Sequence, residues 1–126
     1  MRGHTVLIVA DEPWIVEAWT RILFVAGYDV LCAADASEAL DVLDEARVTV
    51  AICDAKLPGA SGLGIVIREL YPATAIILAS GGRRVPPAEA LRPAVAAYIV
   101  KPVSRDQLLT TVRTGVAWSL EKTTVH

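Results

Sequence analysis

Five short apolar runs recur along this chain, separated by longer segments in which apolar residues return every three or four positions. No other feature limits the fold as strongly. The runs are Val6–Ala10, Val30–Ala33, Val48–Cys53, Ala75–Ala79 and Ala96–Val100, each of strand length. The first is continuous and rich in β-branched residues, as in a central parallel strand covered on both faces. Strands that alternate with helices imply an α/β fold: a five-stranded parallel sheet, doubly wound, with helices on both faces and right-handed crossovers.

The intervening segments carry helix signals. Pro13 suits a first helical turn, Ile15, Ala18, Trp19, Ile22, Leu23 and Ala26 mark one face, and Gly27 can end the helix. Asp35 and Glu38 have capping-box spacing, followed by Ala36, Ala39, Leu40 and Leu43. Ser61-Gly62 leads into a helix with Leu63, Val66, Ile67 and Leu70 on one face, and Pro72 stops it. Pro86-Pro87 opens a weak, short helix at Ala88 to Leu91. Ser104 and Gln107 form a second capping box before Leu108, Leu109, Val112 and Val116. Gly115 weakens that last helix by about 1 kcal/mol relative to Ala.

With 126 residues, 54% of them hydrophobic and 21% charged, the chain suits one globular domain with a sizeable core. A net charge of -2 offers no global field for nucleic acid or an anionic membrane, so direct contact with either is not expected. The apolar runs fall far short of the ~20 residues of a spanning helix, and no signal-peptide pattern opens the chain. Cys32 and Cys53 lack metal-ligand spacing, and each ends a strand, where a reduced, buried thiol is expected. A cytoplasmic location follows from that expectation.

In parallel strands the carboxyl ends share one edge, where open α/β sheets bind ligands. The polar residues landing there are Asp11, Asp54, Ser80 and Lys101. Singly, each has an ordinary explanation: Asp54 and Ser80 as turn formers, Asp11 as a helix cap, Lys101 as a solvated charge. Together they suit phosphoryl chemistry. Two carboxylates attract a hard cation such as Mg2+, a carboxylate can accept a phosphoryl group, and a hydroxyl with an ammonium can hold the phosphoryl oxygens.

Four stretches carry a family resemblance: Val6-Leu7-Ile8-Val9-Ala10-Asp11-Glu12-Pro13, Asp54-Ala55-Lys56-Leu57-Pro58-Gly59-Ala60-Ser61-Gly62, Ile77-Leu78-Ala79-Ser80-Gly81 and Tyr98-Ile99-Val100-Lys101-Pro102. Over about residues 5–118 the chain resembles the CheY-like receiver domain of two-component response regulators. The resemblance implies a flavodoxin-like sheet of order 2-1-3-4-5 and a phosphoacceptor, Asp54, served by a sensor histidine kinase or phosphotransfer protein. It implies Mg2+ held by Asp11, Asp54 and the Lys56 backbone carbonyl, with phosphoryl contacts from Ser80 and Lys101. It also implies a cis Lys101–Pro102 bond. Ser80 and Tyr98 would form the switch that couples the site to the fourth helix, fifth strand and fifth helix. Such a domain is a signalling phosphoacceptor rather than an enzyme, although it can take phosphoryl groups from small donors and lose them unaided.

The resemblance breaks at one position. Receivers usually carry two acids at the end of the first strand. Alignment on their common acid-acid-Glu-Pro form puts Ala10 in the place of the first, whereas a shifted alignment pairs Asp11 with Glu12 but brings Pro13 one place early. The loss weakens a cation site by roughly 10–100-fold where that acid acts through water, and Glu12 is a candidate to compensate. Gly81 leaves the site open on one side. Arg83, Arg84, Arg92 and Arg105, with Glu89 and Asp106 nearby, give the output side a basic cast that reads first as a solvated face.

Three functions compete: a phosphorylation-switched receiver, a protein-interaction module that works without phosphorylation, and a nucleotide- or flavin-binding enzyme on a similar sheet. No Gly-x-Gly-x-x-Gly or Walker-type loop follows the first strand, which disfavours the third. Residues 119–126 form a tail too short for an output domain, so the expectation is a single receiver over 1–126, standing alone or as part of a longer chain. Its downstream protein or output domain is not legible, and a homodimer is one outcome of switching.

Overall fold

A computed structural model describes residues 3–81 and 95–124. The elements run β1 (Thr5–Val9), α1 (Pro13–Val25), β2 (Asp29–Ala33), α2 (Ala36–Glu45), β3 (Val50–Asp54), α3 (Ala60–Leu70), β4 (Ala75–Gly81), β5 (Val95–Lys101) and α4 (Arg105–Thr124). All five strands are parallel, in the order β2-β1-β3-β4-β5. The short helix expected at Ala88–Leu91, with Arg83, Arg84, Glu89 and Arg92, lies outside the described residues.

The pleat of the three central strands divides the core in two. Leu7, Val9, Ala51, Cys53, Ile76 and Leu78 face Ala39 and Leu43 of α2 and Leu63 and Ile67 of α3. Val6, Ile8, Val50, Ile52, Ala75 and Ile77 face Ile15, Trp19 and Leu23 of α1 and Leu108 and Val112 of α4. Strands buried on both faces read as continuous apolar runs because neither face meets water. Leu7, Ile52 and Ile77 are fully buried, and each such side chain contributes roughly 1.5–3 kcal/mol by leaving water.

Local signals place the helix ends. Gly27 adopts φ 102° after α1, a conformation that costs other residues more. Glu38 N–H donates to Asp35 Oδ1 at 2.8 Å, and the Glu38 carboxylate accepts from Ala34 N–H at 3.0 Å. Before α4 the capping box is reciprocal: Gln107 N–H donates to Ser104 Oγ, and Ser104 N–H to Gln107 Oε1.

Several expectations need correction. The third run begins as strand at Val50, not Val48, and includes Asp54 as its last residue. β4 extends through Ser80 to Gly81, and β5 through Lys101. Backbone pairing therefore outlasts each apolar run. α3 starts at Ala60, and Leu70, assigned to its apolar face, is 65% exposed at the helix end. Cys32 is exposed because β2 is an edge strand. Gly115 sits at a close approach: a β-carbon there would lie 3.0 Å from Val50 Cγ2. The glycine lets α4 settle onto the sheet, which offsets its poor helix propensity. Among the described residues no helix is long and apolar enough to cross a membrane.

Candidate functional site

The carboxyl edge of the sheet gathers the polar residues that β1, β3, β4 and β5 deliver. Asp11 lies two residues beyond β1, and Glu12 is the N-cap of α1, with Pro13 fixing the first turn. Asp54 ends β3 and is 1% exposed. A carboxylate that deep must be hydrogen-bonded or paired, and both its oxygens are. Oδ1 accepts from Lys56 N–H at 3.1 Å, and Oδ2 accepts from the Lys101 ammonium at 2.9 Å.

The loop after β3 is held close by its own backbone. Ala55 N–H donates to Ala79 O at 2.8 Å, extending the pairing of β3 with β4, and Leu57 N–H donates to Asp54 O at 3.1 Å. Leu57 and Ala60 bury their side chains in the α2–α3 face of the core. The loop is thus anchored at both ends while Lys56 stays exposed.

Asp11, Glu12 and Asp54 can bring one carboxylate oxygen each within 4.8 Å of one another. Lys56 pairs with Glu12 Oε1, and Lys101 Nζ stands 3.8 Å from the same oxygen. Three carboxylates therefore meet two ammonium groups. The hydrogen bond to Lys56 holds the Glu12 carboxyl below its ordinary range and the Lys56 ammonium above its own. Behind the site, burial, reinforced by Asp54, pushes the Cys53 thiol up to about 12.

Ser80 is buried in β4, and Tyr98 of β5 packs against the α2–α3 side of the core. The Tyr98 hydroxyl is buried and has no hydrogen-bond partner among the described residues. The Lys101–Pro102 peptide bond is cis. Ala10 is buried and apolar, its N–H donating to Ala33 O at 3.0 Å, so it supplies no side-chain oxygen to the edge. At Gly81 a β-carbon would touch Lys101 Cε at 3.7 Å.

Sequence reasoning missed two participants. Lys56 was singled out only for its backbone carbonyl, yet its ammonium reaches Glu12, 44 residues away. Trp14 donates its indole N–H to Glu12 Oε2 at 3.2 Å. An exposed tryptophan beside Glu12-Pro13 was the available signal.

The sequence profile of the response regulator receiver domain matches residues 6–113. The chain belongs to that family. It is a receiver domain of two-component signalling, and its solved neighbours agree in fold. A CheY-like receiver domain protein from Methanospirillum hungatei superposes with a TM-score of 0.86 at 28% identity, covering 94% of this chain and 98% of that one. NtrX from Brucella abortus, solved in complex with ADP, gives 0.88 at 25% identity over 98% of this receiver but 28% of its own chain. In sequence, the receiver is 33% identical over 125 residues to the hydrogenase transcriptional regulatory protein HoxA of Bradyrhizobium diazoefficiens. The match covers 95% of this chain and 26% of HoxA, so the receiver spans about a quarter of that relative.

Proposed function

We propose that this receiver is switched by phosphorylation of Asp54 by a partner histidine kinase or phosphotransfer protein. The carrying observation is a carboxylate 1% exposed at the end of β3, paired with Lys101 at 2.9 Å and reached by two further acids. One Asp54 oxygen forms a bond to phosphorus. The bond from phosphorus to the donor, an imidazole nitrogen or the oxygen of a small acyl phosphate, breaks, and its electron pair stays with the donor. The Lys101 ammonium and Ser80 hydroxyl hold phosphoryl oxygens on either side of the strand end.

The donor set fits a hard divalent cation: oxygen donors from Asp11, Asp54 and Glu12, with the Lys56 carbonyl that the family resemblance adds. Bound there, Mg2+ would offset repulsion between carboxylate and phosphoryl oxygens. Glu12 stands in for the acid that Ala10 lacks, and its place in the cluster supports this.

Phosphorylation reaches the output face through Ser80 and Tyr98. Drawing Ser80 toward the phosphoryl group changes the packing beside Tyr98, whose hydroxyl has no partner among the described residues. The face made by β5 and α4 then engages a downstream protein, an output domain or a second copy. Intact-mass measurement after acetyl phosphate and Mg2+ tests this reading. One phosphoryl group on the wild type and none on Asp54→Asn is the expected result.

A second reading rests on Ala10. With an apolar residue buried at the end of β1, the domain would bind its partner without phosphorylation, and Asp54→Asn would leave that binding unchanged.

A further inference from the structure

Each oxygen of Glu12 has a hydrogen-bond partner that phosphoryl transfer does not use, while Lys101 Nζ stands further off, 3.8 Å from Oε1. Oε1 accepts from the Lys56 ammonium and Oε2 from the Trp14 indole at 3.2 Å. The Lys56 and Glu12 side chains are 55% and 28% exposed. An ion pair so open to water is weakly held, and a doubly charged ion is a stronger competitor for the same oxygen. The contest matters in this chain because Ala10 contributes no carboxylate, which leaves Glu12 and Asp11 as the acids following β1.

We propose that Lys56 is an internal competitor for the divalent cation. Without the cation, its ammonium occupies Glu12. Binding of the cation at Asp11, Glu12 and Asp54 takes Glu12 away from both Lys56 and Trp14. Lys56 thereby sets the concentration at which the receiver becomes competent for phosphoryl transfer, and Trp14 reports the exchange. The inference rests on the cation site of the proposed function. If instead Glu12 stays on Lys56 and the ion sits on Asp11 and Asp54 alone, removing Lys56 acts only through its general field. The gain is then the same whether or not Glu12 carries a charge.

The test is a Mg2+ titration of the 126-residue chain followed by tryptophan emission, with Mn2+ binding by electron paramagnetic resonance as a readout independent of tryptophan. The proteins are wild type, Lys56→Met, Glu12→Gln, the double variant and Trp14→Phe. Lys56→Met should tighten binding about two- to tenfold. Glu12→Gln should weaken it by roughly tenfold or more, and in that background Lys56→Met should change little. Trp14→Phe should abolish the emission change and leave Mn2+ binding in place.

Equal gains from Lys56→Met in both backgrounds, or no gain, would overturn the inference while leaving the cation site intact. Absence of binding in every variant, with the protein folded, would overturn both the inference and the cation site beneath it.

Discussion

Lys101 Nζ meets Asp54 Oδ2 at 2.9 Å although the two residues belong to strands that flank β4. Register explains the contact. Asp54 pairs with Ala79, whereas Lys101 pairs with Gly81, so Lys101 starts two residues further along the edge. Its stem folds back past Gly81, where a side chain would touch it, and its ammonium returns to Asp54. β4 thus acts as a ruler between the two charges.

Lys101→Met leaves a carboxylate that is 1% exposed with one backbone donor as its hydrogen-bond partner. Stranding a buried charge is costly, so the variant should lose about 1–3 kcal/mol of stability. Urea unfolding measures it, and the double variant with Asp54→Asn should recover most of the loss. A wild-type midpoint for Lys101→Met would contradict the pairing.

Tyr98→Phe removes a buried hydroxyl that has no hydrogen-bond partner among the described residues. Deleting an unsatisfied polar group should leave stability unchanged or raise it by about 1 kcal/mol. A clear loss would show that the hydroxyl has a partner in solution.

Gly115→Ala sets two effects against each other. Helix propensity gains about 1 kcal/mol, while a β-carbon 3.0 Å from Val50 Cγ2 and 3.3 Å from Cγ1 must push β-branched core atoms. Overpacking of this kind costs roughly 1–3 kcal/mol, so the net change should be destabilising by up to about 2 kcal/mol. Combining it with Val50→Ala should yield less than the sum of the two losses, because the contacts are shared.

That glycine marks the limit of what the chain discloses before folding. Its propensity cost was legible, but its reason was a valine 65 positions away in β3. The sheet itself was legible because buried parallel strands leave continuous apolar runs, and the Asp35 and Ser104 caps because their partners lie three residues on. The convergence of Asp11, Asp54, Ser80 and Lys101 on one edge followed from parallel strands alone. Strand ends were misjudged, since hydrogen bonding continues through Asp54, Ser80 and Lys101 after hydrophobicity stops. Cys32 was misplaced because an apolar run does not reveal which strand stands at the edge. The side-chain contacts of Glu12 with Lys56 and Trp14 depend on rotamers, which spacing does not encode.

The two thiols should differ sharply. Cys32 is exposed and Cys53 buried, and burial, with Asp54 nearby, pushes the Cys53 thiol up to about 12. A thiol reagent at pH 8 should modify one group quickly and the second only on unfolding. Because folding raises this thiol from 9.0 to about 12, the unfolded chain releases the proton first. Stability should therefore hold below pH 9 and fall as pH rises through that window. Fast modification of both thiols in the native protein would contradict the burial of Cys53.

The most direct test of the central claim is to locate the phosphoryl group. The protein is incubated with acetyl phosphate and Mg2+, treated with borohydride to convert any acyl phosphate to homoserine, digested, and read by tandem mass spectrometry. Homoserine at position 54, absent without Mg2+ or donor, is the predicted result, with none at Asp11 or Glu12. An unmodified Asp54 in a folded, Mg2+-saturated protein, with a cognate phosphorylated kinase also failing to transfer, would contradict the phosphoryl switch and favour the phosphorylation-independent reading.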